Sequence, residues 1–193
     1  MDYPKGIKHK EIHKKDTTTY GNRGMSLEED INVTNKYYVD KGIAFIYKKP
    51  TPIQVTKMDY NSGGIIIKEA FFKGPSTTDY NGLYKGKYID FEAKETTSKT
   101  SFPLANIHKH QINHINNIIN NGGIGFLIVR FTTLNIDFIL LGKDLIDFIN
   151  SSDRRSIPFD YFKEKGYILE NGYIPRIDYL KVIDRIYIGG WNG

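Results

Sequence analysis

IDFEAKE, at residues 89–95, alternates apolar and charged side chains as a β-strand does. Successive side chains of a strand point to opposite faces, so Asp90, Glu92 and Lys94 form one charged row behind an apolar one. Such a row is either a solvated surface or part of a site that binds a cation. The heptapeptide alone favours the solvated surface, because short motifs often match by chance.

The residues upstream of this strand favour a cation site. Lys85 and Gly86 can form a two-residue turn between TDYNGLY at 78–84 and KYIDFEAK at 87–94. In that register Tyr84 faces Lys87, and Asp79 faces Glu92. Directly opposed side chains have Cβ atoms only about 5 Å apart, and like charges there are destabilising unless something offsets them. A turn at Asn81 and Gly82 would shift the register and break this pairing.

The side chains near Asp79 and Glu92 indicate which cation would bind. Thr77 and Asp79 fall on one face, and Glu92 and Lys94 complete that face from the neighbouring strand. Such oxygen ligands suit Mg²⁺, which uses one or two carboxylates together with water and phosphate, and we expect Mn²⁺ to substitute for it. Zinc is disfavoured, because the chain has no cysteine and no well-formed set of three histidines.

The spacing Asp79…Glu92-Ala93-Lys94 matches the D…(D/E)xK pattern of restriction-endonuclease-like nucleases. In that chemistry Asp79 and Glu92 hold the metal, and the metal lowers the pKa of a bound water. Lys94 orients the attacking water or stabilises the transition state. The pattern by itself is weak evidence for a nuclease, because it arises often by chance.

Composition is compatible with a nucleic-acid partner. The 193-residue chain suits one domain, and its net charge of +5 and pI of about 9.1 make an anionic partner plausible. Its amino terminus is polar and basic rather than a signal peptide, and no apolar run is long enough to span a bilayer. We therefore expect a cytoplasmic protein without a membrane partner.

Residues 1–22 are predicted to form a flexible basic arm, and residues 23–193 a single nuclease domain. Residues 1–15 carry five lysines and two acids, with too few apolar side chains to pack. Such an arm can follow phosphates, and the candidate contacts are Lys8, Lys10, Lys14 and Lys15. A tail that only improves solubility fits the same residues equally well.

The remaining pattern predicts an α/β sandwich with a mixed sheet. Ser26 and Glu29 form a capping box for a first helix that ends at Gly42, and a short buried strand follows at 43–49. Two β-rich runs joined by NSGG at 61–64 predict a hairpin or a pair of long extended arms. A second helix is predicted at 106–120, strands at 124–131 and 136–142, a short helix at 143–150 and a closing helix at 177–187. A doubly wound nucleotide-binding fold is excluded, because no glycine-rich loop follows the first strand.

Several other side chains are candidates with two interpretations. His110 and His114 lie four residues apart on a predicted helix, but without a third ligand we favour a polar helix surface or a DNA contact over a metal site. Phe71, Phe72 and Tyr80 can stack on bases, although paired aromatics in strands are more often core residues. The further candidate phosphate contacts are Arg23, Lys73, Arg154, Arg155 and Arg176.

Seven segments together closely resemble RecU, the bacterial Holliday junction resolvase family. They are RGMSLE at 23–28, KKPTP at 48–52, PSTTDYNG at 75–82, IDFEAKET at 89–96, SFPL at 101–104, HKHQI at 108–112 and PRIDY at 175–179. The resemblance runs in order along nearly the whole chain. It implies a restriction-endonuclease-like mixed β-sheet flanked by helices, with a protruding β-hairpin stalk at about 53–72.

The resemblance also implies roles for particular residues. The family's metal ligands match Thr77, Asp79, Glu92 and Gln111, and its transition-state lysine matches Lys94. Glu28 resembles a helical acid of related archaeal resolvases and would act in the site's periphery or at a second metal. The turn of the stalk, NSGGI, is less basic than expected for a segment that enters a junction.

The expected activity is that of a Mg²⁺-dependent homodimer that makes paired symmetric nicks in four-way junction DNA during recombination and repair. The resemblance further implies partnership with the RecA recombinase and the RuvAB branch-migration complex. Two alternatives stay open at this point: a noncatalytic protein that binds DNA or modulates a recombinase, and a related nuclease with other DNA substrates.

Overall fold

The structure, a computed structural model, describes residues 25–61, 63–74 and 77–189. The first helix, α1 (Leu27–Asp40), begins at the predicted capping box. Ser26 Oγ accepts a hydrogen bond from the Glu29 backbone at 3.2 Å, and the Glu29 carboxylate accepts one from the Ser26 backbone at 2.8 Å. These two bonds satisfy amides that the first turn of a helix leaves free. The prediction of this helix is confirmed.

The next three strands are β1 (Phe45–Lys48), β2 (Ile53–Asn61) and β3 (Gly64–Phe72). Strand β1 was expected to be buried, and this is wrong: Phe45 and Tyr47 are each more than half exposed, because β1 is the edge strand of its sheet and, within the described residues, pairs with β4 alone. Strands β2 and β3 pair antiparallel in a two-stranded sheet of their own. This protruding hairpin, residues 53–72, is called the stalk below.

The predicted hairpin at the centre of the molecule consists of β4 (Tyr80–Tyr84) and β5 (Lys87–Thr96). Its turn is Lys85–Gly86, with φ values of 46° and 76°. Positive φ at both turn residues is what a two-residue hairpin with the normal strand twist requires. Tyr84 faces Lys87 as predicted, and the same register continues to Tyr80 opposite Phe91.

The carboxy-terminal half adds strands and helices, several of which are very short. In chain order they are β6 (Ser101–Pro103), a 3₁₀ turn (Leu104–Asn106), α2 (Lys109–Asn120), β7 (Ile124–Phe131), β8 (Ile136–Leu141), α3 (Gly142–Ser151), β9 (Ser156–Pro158), α4 (Phe159–Lys165), β10 (Tyr167–Leu169), α5 (Tyr179–Ile183) and a π-helical turn (Asp184–Ile188). Helix α2 begins three residues later than predicted, because residues 104–106 form the 3₁₀ turn instead.

Six strands form the main sheet in the order β1-β4-β5-β7-β8-β10. The pair β5–β7 is parallel and the other four neighbouring pairs are antiparallel. Parallel neighbours need a crossover connection, and here α2 lies within it. The most central strands are therefore β5, which carries the charged row, and β7, which is buried along its whole length.

Each face of the sheet packs against helices and has its own apolar core. Helices α1 and α5 cover one face, where Ile31 and Tyr179 pack against Phe91 and Phe126. Helices α2, α3 and α4 supply the core of the opposite face, where Ile115, Leu145 and Phe162 pack with Leu127 and Val129. The predicted α/β fold, a mixed sheet flanked by helices with a protruding hairpin, is confirmed.

Two further points concern membrane-spanning helices and the predicted amino-terminal arm. Among the helices that the structure describes, none has the length and apolarity needed to cross a membrane. The predicted arm at 1–22 lies outside the described residues, so the division into arm and domain stays a prediction.

Candidate active site

The charged row of β5 is not a solvated surface at its centre. Asp90 and Glu92 are fully buried, and the Lys94 side chain is only 23% exposed. Ile89 and Phe91 point into the opposite core, as strand alternation predicts. Charged side chains at this depth are costly unless they are paired, hydrogen-bonded or bound to a metal.

Asp79 lies directly before β4, and the β4–β5 register extended by one residue sets it opposite Glu92. Its backbone carbonyl accepts a 2.7 Å hydrogen bond from the Lys49 amide, which continues the pairing of β1 with β4 beyond the strand ends. The juxtaposition of two acids that the sequence predicted is therefore present in the fold.

The Glu92 carboxylate is poorly satisfied by hydrogen bonds within the described part of the chain. Among the described residues, neither of its carboxylate oxygens accepts a well-aligned hydrogen bond. Lys94 Nζ lies 2.7 Å from Glu92 Oε1, as an ion-pair contact outside hydrogen-bond geometry. Burial and, second to it, the adjacent Asp79 carboxyl raise the pKa of Glu92 from 4.5 to about 8, while Lys94 opposes this rise. A divalent cation between Asp79 and Glu92 would satisfy both acids.

The two neutral candidate ligands, Thr77 and Gln111, come from different parts of the chain. Thr77 is half-buried two residues before Asp79, and its hydroxyl donates a 3.3 Å hydrogen bond to the Thr78 carbonyl. Gln111 is buried in the first turn of α2, and its Oε1 accepts a 2.9 Å bond from the His108 amide. An amide oxygen has two lone pairs, so one stays available for a metal.

The direction of α2 brings Gln111 toward Glu92. His114 Nε2 lies 3.1 Å from Asp90 Oδ2, so this face of the helix rests against the charged row. Gln111 lies three residues earlier on the same face. Because a crossover helix runs antiparallel to the strand that precedes it, one turn back along α2 leads from Asp90 toward Glu92.

The donor set fits a hard cation but contains only two acids. Within the described ranges, no three His, Asp or Glu side chains are close enough together to hold one metal ion. A site of Asp79, Glu92 and the neutral oxygens of Thr77 and Gln111 is of the kind that Mg²⁺ occupies while keeping several waters.

Glu28 belongs to the same cleft without joining the two acids. A cavity of about 300 Å³ is lined by Glu28, Asp79 and Lys94, among others. Burial raises the pKa of Tyr80, and the charges of Glu28, Asp79 and Glu92 raise it further, so all three acids lie around that ring. The Glu28 carboxylate pairs with Lys48 at 2.5 Å. This geometry agrees with a peripheral place for Glu28.

Sequence reasoning missed the part of the site around Asp90. This carboxylate contacts Lys49, Thr78, Tyr88 and His114, which come from four separate segments of the chain. The interpretation of His114 as polar helix surface is wrong, since its side chain is 22% exposed and faces a buried acid, and a DNA contact by His114 stays a prediction. Only the two-residue spacing of Asp90 and Glu92 could have indicated that Asp90 matters.

The candidate DNA contacts differ in their exposure and in their place in the fold. Phe71, Phe72 and Lys73 are exposed at the stalk, so the expectation that paired aromatics are core residues does not apply to them. Of the two interpretations of Tyr80, stacking on bases is wrong and a core position is confirmed: the side chain is 1% exposed and stacks on Phe91 with ring centres 4.9 Å apart. Five further candidate contacts lie outside the described residues; they are Lys8, Lys10, Lys14, Lys15 and Arg23.

Arg176 is also not a phosphate contact, because it is 13% exposed and its Nε donates to Asp30 at 2.9 Å. Arg130 donates to Asp30 and Asp137 at 2.8 Å each, and Arg130 also donates to the Met25 carbonyl at 3.0 Å. This buried network fixes the start of α1, which carries Glu28, against β7 and β8.

A mixed sheet whose central strand carries Glu-x-Lys, with an aspartate set opposite by the neighbouring strand, is the arrangement expected of a restriction-endonuclease-like protein. The chain belongs to the RecU family, described as Recombination protein U, whose family model matches residues 22–185.

Individual relatives agree with this assignment over most of their length. The chain is 55% identical over 172 residues to a Holliday junction resolvase RecU of Geobacillus sp. (strain WCH70), covering 87% of this chain and 86% of the relative. It is 50% identical over 194 residues to the protein of the same name from Bacillus cytotoxicus, covering 96% and 97%. A solved structure of Hjc, a Holliday junction resolvase from Archaeoglobus fulgidus, overlaps with a TM-score of 0.43 at 8% identity, covering 73% of this chain and 93% of that one.

Proposed function

We propose that this chain is a Mg²⁺-dependent endonuclease that resolves Holliday junctions by paired symmetric nicks in recombination and DNA repair. Membership of the RecU family and the names of its relatives, Holliday junction resolvases, support the substrate. Mn²⁺ is expected to replace Mg²⁺. The cytoplasmic location predicted from the sequence is part of the same proposal.

One observation carries the catalytic part of this proposal. Glu92 is fully buried, has no well-aligned hydrogen-bond donor among the described residues, and lies beside a second acid, Asp79. A protein that only needed stability at this position would do as well with an apolar side chain, because burying a carboxylate that is poorly hydrogen-bonded costs several kcal/mol. Such an arrangement is favourable when a cation completes it.

In this mechanism Asp79 and Glu92 hold the ion, and Thr77 and Gln111 offer neutral oxygens beside them. A bound divalent ion supplies charge neutralisation at the scissile phosphate and a bound water of lowered pKa. Lys94, whose ammonium already lies against Glu92, donates to a phosphate oxygen and stabilises the negative charge that develops in the transition state. Glu28 acts at the margin of the cleft, where Lys48 neutralises it.

We further propose that the protein acts as a homodimer. A four-way junction has approximate two-fold symmetry, and an isologous dimer interface would set two equal active sites at equal distances from the crossover. Partnership with the RecA recombinase and the RuvAB complex is proposed from the family resemblance alone.

The test compares wild type with Asp79→Asn on labelled four-way junction and on linear duplex, each with Mg²⁺ or with EDTA. Only wild type with Mg²⁺ is expected to cut, and it cuts the junction in paired symmetric nicks. Asp79→Asn removes one metal carboxylate with almost no change of shape. It should lose several kcal/mol of transition-state stabilisation, roughly a hundredfold or more in rate, and still shift the junction on a gel.

Other outcomes decide against parts of the proposal. Equal cutting of linear duplex would indicate a related nuclease with other DNA substrates. Junction binding without cutting in any divalent ion would indicate a noncatalytic DNA-binding role.

A further inference from the structure

Asp90 is the most highly connected buried acid near the site. Its Oδ2 accepts hydrogen bonds from Lys49 Nζ at 2.8 Å and from the Tyr88 hydroxyl at 3.0 Å, and it lies 3.1 Å from His114 Nε2. Its Oδ1 accepts a hydrogen bond from the Thr78 hydroxyl. The carboxylate is fully buried, and the Lys49 side chain is 19% exposed. Both carboxylate oxygens are thus occupied by donors, unlike those of Glu92.

Two of these partners lie on the two connections that join the stalk to the sheet. Lys49 directly follows β1 and begins the connection into β2, and Thr78 lies on the connection that returns from β3 to β4. Lys49 Nζ also donates to Thr78 Oγ1 at 3.0 Å. Nearer the stalk, the Lys73 amide donates to the Pro52 carbonyl at 2.9 Å. The two connections therefore meet at one carboxylate of the catalytic strand.

The next residue after Thr78 is Asp79. It precedes β4, and the Lys49 amide holds its carbonyl at 2.7 Å. Thr78 precedes Asp79 in the chain, and the Lys49 amide binds the Asp79 carbonyl, so these two residues fix the backbone of Asp79. Asp90 in turn binds the side chains of both. Asp90 is itself only two residues from Glu92 on the same face of β5.

We propose that Asp90 is a positioning residue that anchors both ends of the stalk to β5 and thereby holds Asp79 opposite Glu92 for metal binding. A general stabilising role is a poor explanation, because a buried ion pair is often no more stabilising than apolar side chains of the same volume. Residues that orient metal ligands typically change metal affinity or activity by roughly 10–100-fold when they are replaced. The inference rests on the proposed function, because the ion that Asp79 and Glu92 would hold is part of that proposal.

The experiment measures Mg²⁺ binding without DNA and cutting with DNA as separate quantities. Wild type, Asp90→Asn and Thr78→Val are unfolded thermally over a Mg²⁺ series, and the rise of the unfolding temperature gives the half-saturating Mg²⁺ concentration. The kcat and KM for the four-way junction are then measured for each protein. Asparagine removes the charge of Asp90 and replaces one of its two acceptor oxygens with an amide donor, whereas valine removes only the Thr78 hydroxyl.

For Asp90→Asn we expect the half-saturating Mg²⁺ concentration to rise roughly 10–100-fold. We expect kcat at fixed Mg²⁺ to fall with it, while KM for the junction stays within about twofold of wild type, because no DNA contact is removed. Excess Mg²⁺ restores part of the rate. Thr78→Val shifts the same quantities in the same direction by less, and it decides the matter if Asp90→Asn does not fold.

Asp184→Asn is the matched control. The Asp184 carboxylate accepts hydrogen bonds from Tyr84 at 2.6 Å and from Lys85 at 2.9 Å, but among the described residues it is bonded to neither connection of the stalk. It should lower the unfolding temperature while leaving the half-saturating Mg²⁺ concentration unchanged. The inference is overturned if the control shifts the half-saturating Mg²⁺ concentration as much as Asp90→Asn does. It is also overturned if Asp90→Asn and Thr78→Val both have the half-saturating Mg²⁺ concentration of wild type. If wild type itself neither responds to Mg²⁺ nor cuts, the proposed function fails instead.

Discussion

Glu92 makes the metal-free protein sensitive to pH. Burial raises its pKa to about 8, so in the folded chain the acid is neutral below that pH, whereas in the unfolded chain it ionises near 4.5. The unfolded state therefore binds fewer protons between these values, and stability falls as pH rises from about 4.5 to about 8. Each pKa unit of difference corresponds to about 1.4 kcal/mol.

Glu92→Gln should consequently stabilise the metal-free protein while it abolishes cutting. At pH 5 the unfolding temperatures of variant and wild type should nearly agree. At pH 8 the variant should unfold several degrees higher, at about 2–4 °C for each kcal/mol. Thermal unfolding in EDTA across this pH range measures the difference.

The same series with Mg²⁺ provides the control for this prediction. Mg²⁺ should raise the unfolding temperature of wild type and not that of Glu92→Gln, because the variant lacks one of the two acids. A variant that is less stable than wild type at pH 8 in EDTA would show that Glu92 is already well compensated without metal.

Residues were predictable from the sequence where the contact between them is local. Asp79 and Glu92 are related by a two-residue turn, so one register fixes both of them. The Asp90 network was not predictable, because its bonds to Lys49 and His114 span 41 and 24 residues and follow no local spacing. Tyr80 was left with two interpretations, because a strand pattern alone does not tell which face packs against a helix.

The stalk exposes many large apolar side chains. Phe72 is 82% exposed and Phe71 66%, and Ile65, Ile66 and Ile67 are each at least half exposed. Aromatic side chains in such positions can stack on unpaired bases, which is worth about 1–3 kcal/mol per base. In an open four-way junction, the base pairs that border the centre each have one unstacked face that such a ring can meet.

Phe72→Ala should weaken junction binding without loss of stability. We expect the Kd for four-way junction DNA to rise roughly fivefold or more. The unfolding free energy should change by no more than about 0.5 kcal/mol, because the ring is exposed. A gel-shift titration and a denaturant melt measure the two quantities.

Tyr173→Ala is the matched control for this substitution. Tyr173 is 83% exposed, as Phe72 is, but it lies outside the stalk, between β10 and α5. Its replacement should leave the Kd near that of wild type. If both variants bind equally well, or weaken equally, the stalk does not stack on the junction.

Elements were predictable in proportion to their length and their local signals. Helix α1 has a capping box at its start, and β4–β5 has a turn with two positive φ values, so both were found. Strands β6 and β9 are three residues each and pair with one another across more than 50 residues, so no periodicity could identify them. The exposure of β1 depends on its place at the sheet edge, which is a property of topology rather than of its sequence.

At the scale of the whole molecule, the fold brings the charged side chains of the candidate site together around one cleft. The Arg130 network fixes α1, and with it Glu28, to the central strands, and the Asp90 network fixes the stalk to β5. DNA held by the stalk would therefore meet the acids of Asp79 and Glu92 in a fixed relation. The net charge of +5 favours the approach of a polyanion to the molecule as a whole.

The basic arm should add to this attraction in a way that salt reveals. Replacing Lys8, Lys10, Lys14 and Lys15 with glutamine keeps the arm's length and removes four of the five lysines in residues 1–15. Each lysine that neutralises a phosphate contributes about 0.9 to the slope of log affinity against log salt. The variant should therefore bind the junction more weakly at low salt and lose its affinity less steeply as salt rises. Lys163→Gln with Lys165→Gln, on exposed positions of α4, is the control and should keep the wild-type slope. A slope unchanged by the arm substitutions would identify residues 1–22 as a solubilising tail, because the loss of phosphate contacts must reduce the dependence of affinity on salt.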